Sequence, residues 1–237
     1  MVYTIDPEVI KHILKDKFDV YVKPASHIAP FKEVLGNGIF ALNHGPHAED
    51  GGKAWTLQRK TASKVFSNNT FKSLMFETFS EHSNKVAEVI NRKIGPKGDG
   101  IVELQTLMFR YTLDSIGNIG FGVNIDSQSQ EEVPFAKAFD RAQALSFQRF
   151  IKPGWNTFPV RLLYWSSESE LKQQVQILDD YIYGIIEKRK QEMSSRGVEG
   201  HGDILTLFMQ EMLGLSDLEL RDVVISFLNA GRGESLK

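Results

Sequence analysis

The stretch "SESELKQQVQILDDYIYGII" constrains the fold of this chain more than any other. In it Leu171, Val175, Leu178, Ile182 and Ile185 fall at i, i+4, i+7, i+11 and i+14. That spacing draws one apolar stripe along a helix, and such a stripe must pack against other elements to be stable. Ser167 with Glu170 three residues later reads as a capping box that starts the helix.

The same periodicity runs through most of the chain. Asp6 and Pro7 read as an N-cap and first helical residue, opening a short helix through Ile13. "KAWTLQRKTASKVF" from Lys53 is a helix, and a longer one covers Phe71 to Lys93, ending at the Gly/Pro cluster Gly95 to Gly100. Residues 101–125 are apolar on most sides, as a deeply buried helix is. Residues 131–150 form a further helix with Phe at 135, 139, 147 and 150. A short helix spans 203–213, and a second capping box, Ser216 with Glu219, launches the last one through Val223, Val224, Phe227 and Leu228. Strand signals are weak and confined to the first forty residues, where Gly36 to Phe40 reads as a turn and a short extended piece. The expected class is mainly α with minor strand content near the N-terminus.

Composition removes several kinds of chemistry. The chain has no cysteine, so disulfides, zinc–thiolate sites, thiol nucleophiles and Cys-ligated iron are excluded for these residues. A net charge of -2 offers no overall basic field for nucleic acid. No apolar run approaches the ~20 residues that span a bilayer. The first twenty residues lack a signal-peptide pattern.

Four groups of residues invite a chemical reading. Trp55 and Arg59, at i and i+4, put an indole N–H and a guanidinium on one helix face, a donor pair suited to a carboxylate or phosphate. On spacing alone a core Trp with Arg covering its edge is the simpler account. His44 and His47, near Glu49 and Asp50, could be metal ligands, but their segment of turn residues favours a solvated loop. "GNIGFG", Gly117 to Gly122, follows a helix rather than a strand, so it reads as small residues for close packing and not as a dinucleotide fingerprint. Last, Ala230 and Gly231 leave room beside a helix backbone, and Glu234 and Ser235 just beyond could relay protons. A Gly C-cap with a polar tail is the plainer alternative.

Taken in order, these segments resemble the cytochrome P450 family, in the branch that hydroxylates long-chain fatty acids and alkanes. "GKAWTLQRKTASKVFS" is similar to its W-x-x-x-R-K helix. "NGIFALN" resembles the segment before it, and "DSIGNIGFG" its E-helix end. "PFAKAFDRAQ" resembles its F helix, and "DILTLFM" with "LSDLELRDVVISFLNAGR" its H helix and the run into the I helix. The resemblance implies a partial P450 fold, helices B to I, in a single domain over residues 1–237 that is truncated at both ends. It implies a heme cofactor, with Trp55 and Arg59 donating to a propionate and Ala230 and Gly231 lining the oxygen-binding face. The Phe-rich helix at 135–150 would roof the substrate channel.

It further implies an NADPH-dependent reductase as partner of a full-length parent, a fatty acid or alkane as substrate, no nucleic acid, and an endoplasmic reticulum membrane location for that parent. The chain departs from the family after Arg232, at Gly233. Glu234 and Ser235 are doubtful remnants of the acid and alcohol relay, and no cysteine is present to ligate iron. The expectation is therefore a monooxygenase fragment that is catalytically incompetent as it stands, soluble or aggregated in the cytoplasm for want of an anchor. The alternatives are a helical lipid- or partner-binding module and a non-functional gene remnant.

Overall fold

The computed structural model describes residues 3–46, 48–67, 69–95, 98, 100–130, 132–196, 203–212 and 214–232. Ten α-helices occur among them: α1 (Pro7–Lys11), α2 (Ala25–Ile28), α3 (Lys32–Leu35), α4 (Lys53–Ser67), α5 (Asn69–Ile94), α6 (Leu104–Phe121), α7 (Pro134–Gln148), α8 (Trp165–Arg196), α9 (Ile204–Glu211) and α10 (Asp217–Arg232). The fold is helical, and none of its described helices is long and apolar enough to cross a membrane.

The apolar stripe behaves as its spacing requires. Leu171, Leu178, Ile182 and Ile185 of α8 are buried against α7, α6 and α10, alongside Leu113, Phe139, Leu220 and Val224. Full burial of one such side chain stabilises by about 1.5–3 kcal/mol. A second cluster joins Ala62 and Val65 of α4, Phe71 of α5, Ile119 of α6, Ile204 and Phe208 of α9 and Val223 of α10. Helix α10 therefore packs on both sides, with Leu220, Val224 and Leu228 in the first cluster and Val223 in the second.

Three buried arginines fasten the N-terminal segment and the connections to this core. Arg149 donates to the Pro30 carbonyl (3.0 Å) and pairs with Glu33 and Glu168. Arg221 donates to the Val34 carbonyl (2.7 Å) and pairs with Asp179 and Asp222. Arg189 pairs with Asp203 and donates to the Phe121 carbonyl (2.9 Å), tying α8 to the end of α6 and the start of α9. A charge this deep is tolerated because every one is paired and hydrogen-bonded.

Several local expectations change. No strand occurs among the described residues: Gly36 to Leu42 closes on itself, with Gly38 N–H donating to Leu35 O and Ala41 N–H to Gly38 O, so its backbone needs no sheet partner. The Ser216–Glu219 box forms, Ser216 N–H donating to Glu219 Oε2 (2.8 Å) and Glu219 N–H to Ser216 Oγ (3.3 Å). The Ser167–Glu170 box does not. Helix α8 already begins at Trp165, Ser167 Oγ donates to the Tyr164 carbonyl (3.0 Å), and Glu170 binds Arg141 of α7.

The glycines of 117–122 also differ in role. A side chain at Gly117 would strike Ile125, so this glycine lets the 123–125 segment fold back over its own helix rather than admitting a second helix. Gly122, left-handed at φ 61, then caps α6. Phe135 and Phe139 of α7 are core residues, and Phe135 stacks on Tyr181 at 4.3 Å.

Candidate functional site

Helix α4 starts where it does because Asp50 caps it: its carboxylate accepts from Gly52 N–H (2.8 Å) and Ala54 N–H (2.6 Å). Those bonds, the Ala54 one foremost, hold the Asp50 carboxyl below its ordinary range. The start fixes the helical phase, so Trp55, Arg59, Ala62 and Phe66 share one face. That face forms a wall of a cleft of about 630 Å³.

The opposite wall comes from α10, through Ser226, Phe227 and Ala230, and the rim from Leu14, Phe18, Lys23, Ile39 and Phe40. Residues 170 positions apart in sequence thus meet across one space. Ala230 borders a second, smaller cleft of about 310 Å³ that it shares with Gly231, Phe66 and Phe227, between α5, α6 and α10. The smallness of Gly231 has a packing cause, since a Cβ there would sit 2.8 Å from Ile116 Cγ1 on α6.

The cleft is lined mostly by apolar side chains, with Arg59 and Lys23 as its cations. Neither Trp55 nor Arg59 has a hydrogen-bonding or ionic partner among the described residues, so indole N–H and guanidinium are both free to serve an anion. Lys23 is a second cation in the cleft lining, which the sequence alone did not single out. Its Nζ donates to the carbonyls of Ile39 (3.2 Å) and Phe40 (2.9 Å), and partial burial lowers its pKa. The signal for Lys23 is tertiary: Asn43 holds the Lys23 backbone, accepting from its N–H (2.8 Å).

Behind Trp55 lies His44, buried and stacked on Phe18 with ring centroids 3.7 Å apart and planes at 8°. Its Nε2 hydrogen-bonds the Phe18 carbonyl (2.8 Å), and its centroid lies 5.2 Å from that of Trp55. His44 is therefore packed against the tryptophan rather than exposed in a loop. His47, Glu234 and Ser235 lie outside the described residues. Among the described residues no group of three or more His, Asp or Glu could hold a metal.

The four residues read from sequence as heme contacts line these two clefts, Trp55 and Arg59 the first, Gly231 the second and Ala230 both; the Phe-rich helix does not join them. Phe135 and Phe139 are buried in the core, and Phe147 and Phe150 are exposed. None of the four lines either cleft.

The residues fit a flat apolar group that carries carboxylates: two unpartnered donors and a half-buried ammonium, in a mostly apolar lining that includes the small Ala230. The fit covers one side only. With no cysteine, these residues offer iron no thiolate.

The family profile for Cytochrome P450 matches residues 1–233. Cytochrome P450 704C1 of Pinus taeda is 35% identical over 98% of this chain and 45% of its own length. Cytochrome P450 86B1 of Arabidopsis thaliana is 32% identical over 98% of this chain and 41% of its own length. Cytochrome P450 94A1 of Vicia sativa is 27% identical over 98% and 44%, respectively. The chain thus spans less than half the length of these curated relatives.

Proposed function

Since the chain belongs to the cytochrome P450 family, a heme-binding one, we propose that it supplies the propionate-holding and oxygen-side part of a heme-dependent monooxygenase. The observation that carries this reading is the convergence of Trp55, Arg59 and Ala230 on one apolar cleft. Trp55 and Arg59 would each donate to a propionate carboxylate, and Lys23 would add charge in the same cleft. Ala230 and Gly231 would keep side chains away from the face where substrate and oxygen meet.

When bound, heme supplies the dioxygen chemistry by which one oxygen atom enters a C–H bond. The substrate we assign is a fatty acyl chain or alkane, on the resemblance in motif order described above. A full-length parent would take electrons from an NADPH-dependent reductase and work at the endoplasmic reticulum membrane. The chain as it stands would bind without turning over, because it brings no thiolate to iron.

A second reading has an observation of its own. The two clefts share Phe66, Phe227 and Ala230, and cations line the first, an arrangement that would also take the tail and carboxylate of a fatty acid without heme.

Titration of the chain with hemin, followed by the Soret band, separates the two. Heme binding that weakens about tenfold or more in Arg59→Gln supports the first, as expected for loss of one hydrogen bond between charged groups. Palmitate binding with no heme binding would transfer the site to the second.

A further inference from the structure

Trp55 is half-buried, and no described residue accepts from its indole N–H. A hydrogen bond weakens steeply as its donor turns away from the acceptor, so whatever holds the indole decides how well it serves an anion. Aromatic packing supplies that hold. The His44 ring lies 5.2 Å from the indole at a tilt of 49°, and the Phe18 ring 5.8 Å away at 49°. Both pairs fall within the range where rings attract in a fixed relative orientation.

His44 is itself fixed. Its plane stacks on Phe18 at 3.7 Å and 8°, and its Nε2 meets the Phe18 carbonyl at 2.8 Å. A carbonyl only accepts, so Nε2 carries the proton, and the ring cannot turn over without losing that bond. The backbone around it is pinned as well. A Cβ on Gly45 would lie 2.9 Å from the Asp19 carbonyl oxygen, and one on Gly52 would lie 2.5 Å from the Gly45 nitrogen. Residues 18–20, residues 44–45 and the start of α4 are thus layered backbone to backbone.

Asn43, next in the chain, clasps Lys23. Its side chain accepts from the Lys23 N–H (2.8 Å) and donates to the Lys23 carbonyl (3.2 Å). Two adjacent residues therefore reach two of the cleft's donors, Asn43 through the Lys23 backbone and His44 through the Trp55 ring.

On the heme reading of the cleft given above, we infer that His44 is a positioning residue for propionate recognition: packed on both Phe18 and Trp55, it holds the indole at the angle from which its N–H serves a carboxylate. His44 does not line the cleft, so it acts through Trp55 and touches no ligand.

The ratio of affinities for hemin and hemin dimethyl ester, read by the Soret band, tests this role. The ratio reports carboxylate recognition, whereas a packing defect alone would weaken both ligands equally. The unaltered chain should favour hemin at least tenfold. His44→Ala should cut the ratio at least threefold, to that of Trp55→Phe. His44→Phe, which keeps a flat ring in the stack, should retain most of it. In the Trp55→Phe background His44→Ala should change the ratio no further, because the bond it supports is already gone. Should His44→Ala lose native circular dichroism, His44→Leu, which fills the space without a flat ring, takes its place. An unchanged ratio on removing the His44 ring, or an equal further drop in the Trp55→Phe background, would overturn the role of His44 and leave the heme reading intact. No preference for hemin in the unaltered chain would overturn the heme reading, and the role of His44 with it.

Discussion

Replacing Gly36 by alanine acts on two linked features of the turn that follows α3. Gly36 holds φ 53, ψ -130 as the residue that ends α3, a conformation an L side chain adopts only under strain of about 1–3 kcal/mol. A Cβ there would also enter the Asp222 carboxylate. That carboxylate accepts from the Asn37 N–H at 2.6 Å, and losing a hydrogen bond to a charged group costs about 1.5–3 kcal/mol. Together, with imperfect additivity, the expected cost is about 3–5 kcal/mol.

Gly184, inside α8, provides the matched control. Nothing lies within 4 Å of a Cβ built there, so alanine should stabilise by about 0.5–1 kcal/mol. At about 2–4 °C per kcal/mol for a chain of this size, Gly36→Ala should lower Tm by about 6–20 °C and Gly184→Ala raise it by about 1–4 °C. Thermal unfolding by far-ultraviolet circular dichroism reads both. A Gly36→Ala protein as stable as the parent would refute the claim that this turn is held by α10.

Two further outcomes are expected. Burial keeps the His82 imidazole below its ordinary pKa, so it is neutral in the fold while the unfolded chain protonates near 6.5. Stability is then full above about pH 6.5 and falls as pH drops through that value. Urea midpoints measured from pH 7.5 to 5.5 should decline less in His82→Gln than in the parent. Asp222, raised by burial, works in the opposite sense, so the difference between the two proteins is the quantity to read. The capping reassignment is checked in the same assay. Ser216→Ala should cost about 1 kcal/mol as a lost cap, whereas Ser167→Ala, two residues inside α8, should cost measurably less.

The helices were legible because their apolar residues repeat at helical spacing and because most ends carry recognisable breakers. Asp6 and Ser216 start helices for reasons visible in two to four neighbouring residues, whereas Gly122, read from the sequence as a packing glycine inside residues 101–125, caps α6 at Phe121. Ser167 misled because the same S-x-x-E pattern also suits a helix interior whose acid pairs with another helix, and only Arg141 on α7 decides between them. The phenylalanines of α7 show the same limit: periodicity shows that Phe135 and Phe139 share a face, but not whether that face meets a cavity or Tyr181.

For the site, the i, i+4 spacing of Trp55 and Arg59 was local and readable. Its encounter with Ala230 across the cleft was not, because it depends on α10 packing between two clusters. Lys23 carried no local signal at all. Its role follows from carbonyls sixteen and seventeen residues away, far beyond the three- and four-residue spacings that a helical pattern displays.

The central claim is that Trp55 and Arg59 recognise carboxylates of a heme seated in the apolar cleft. Hemin and its dimethyl ester share the macrocycle and differ in those carboxylates, so their relative affinity is the most direct measure. The account predicts that the chain binds hemin at least tenfold more tightly than the ester, and that Trp55→Phe/Arg59→Gln binds the two alike. Equal affinity of the unaltered chain for hemin and its ester would contradict it.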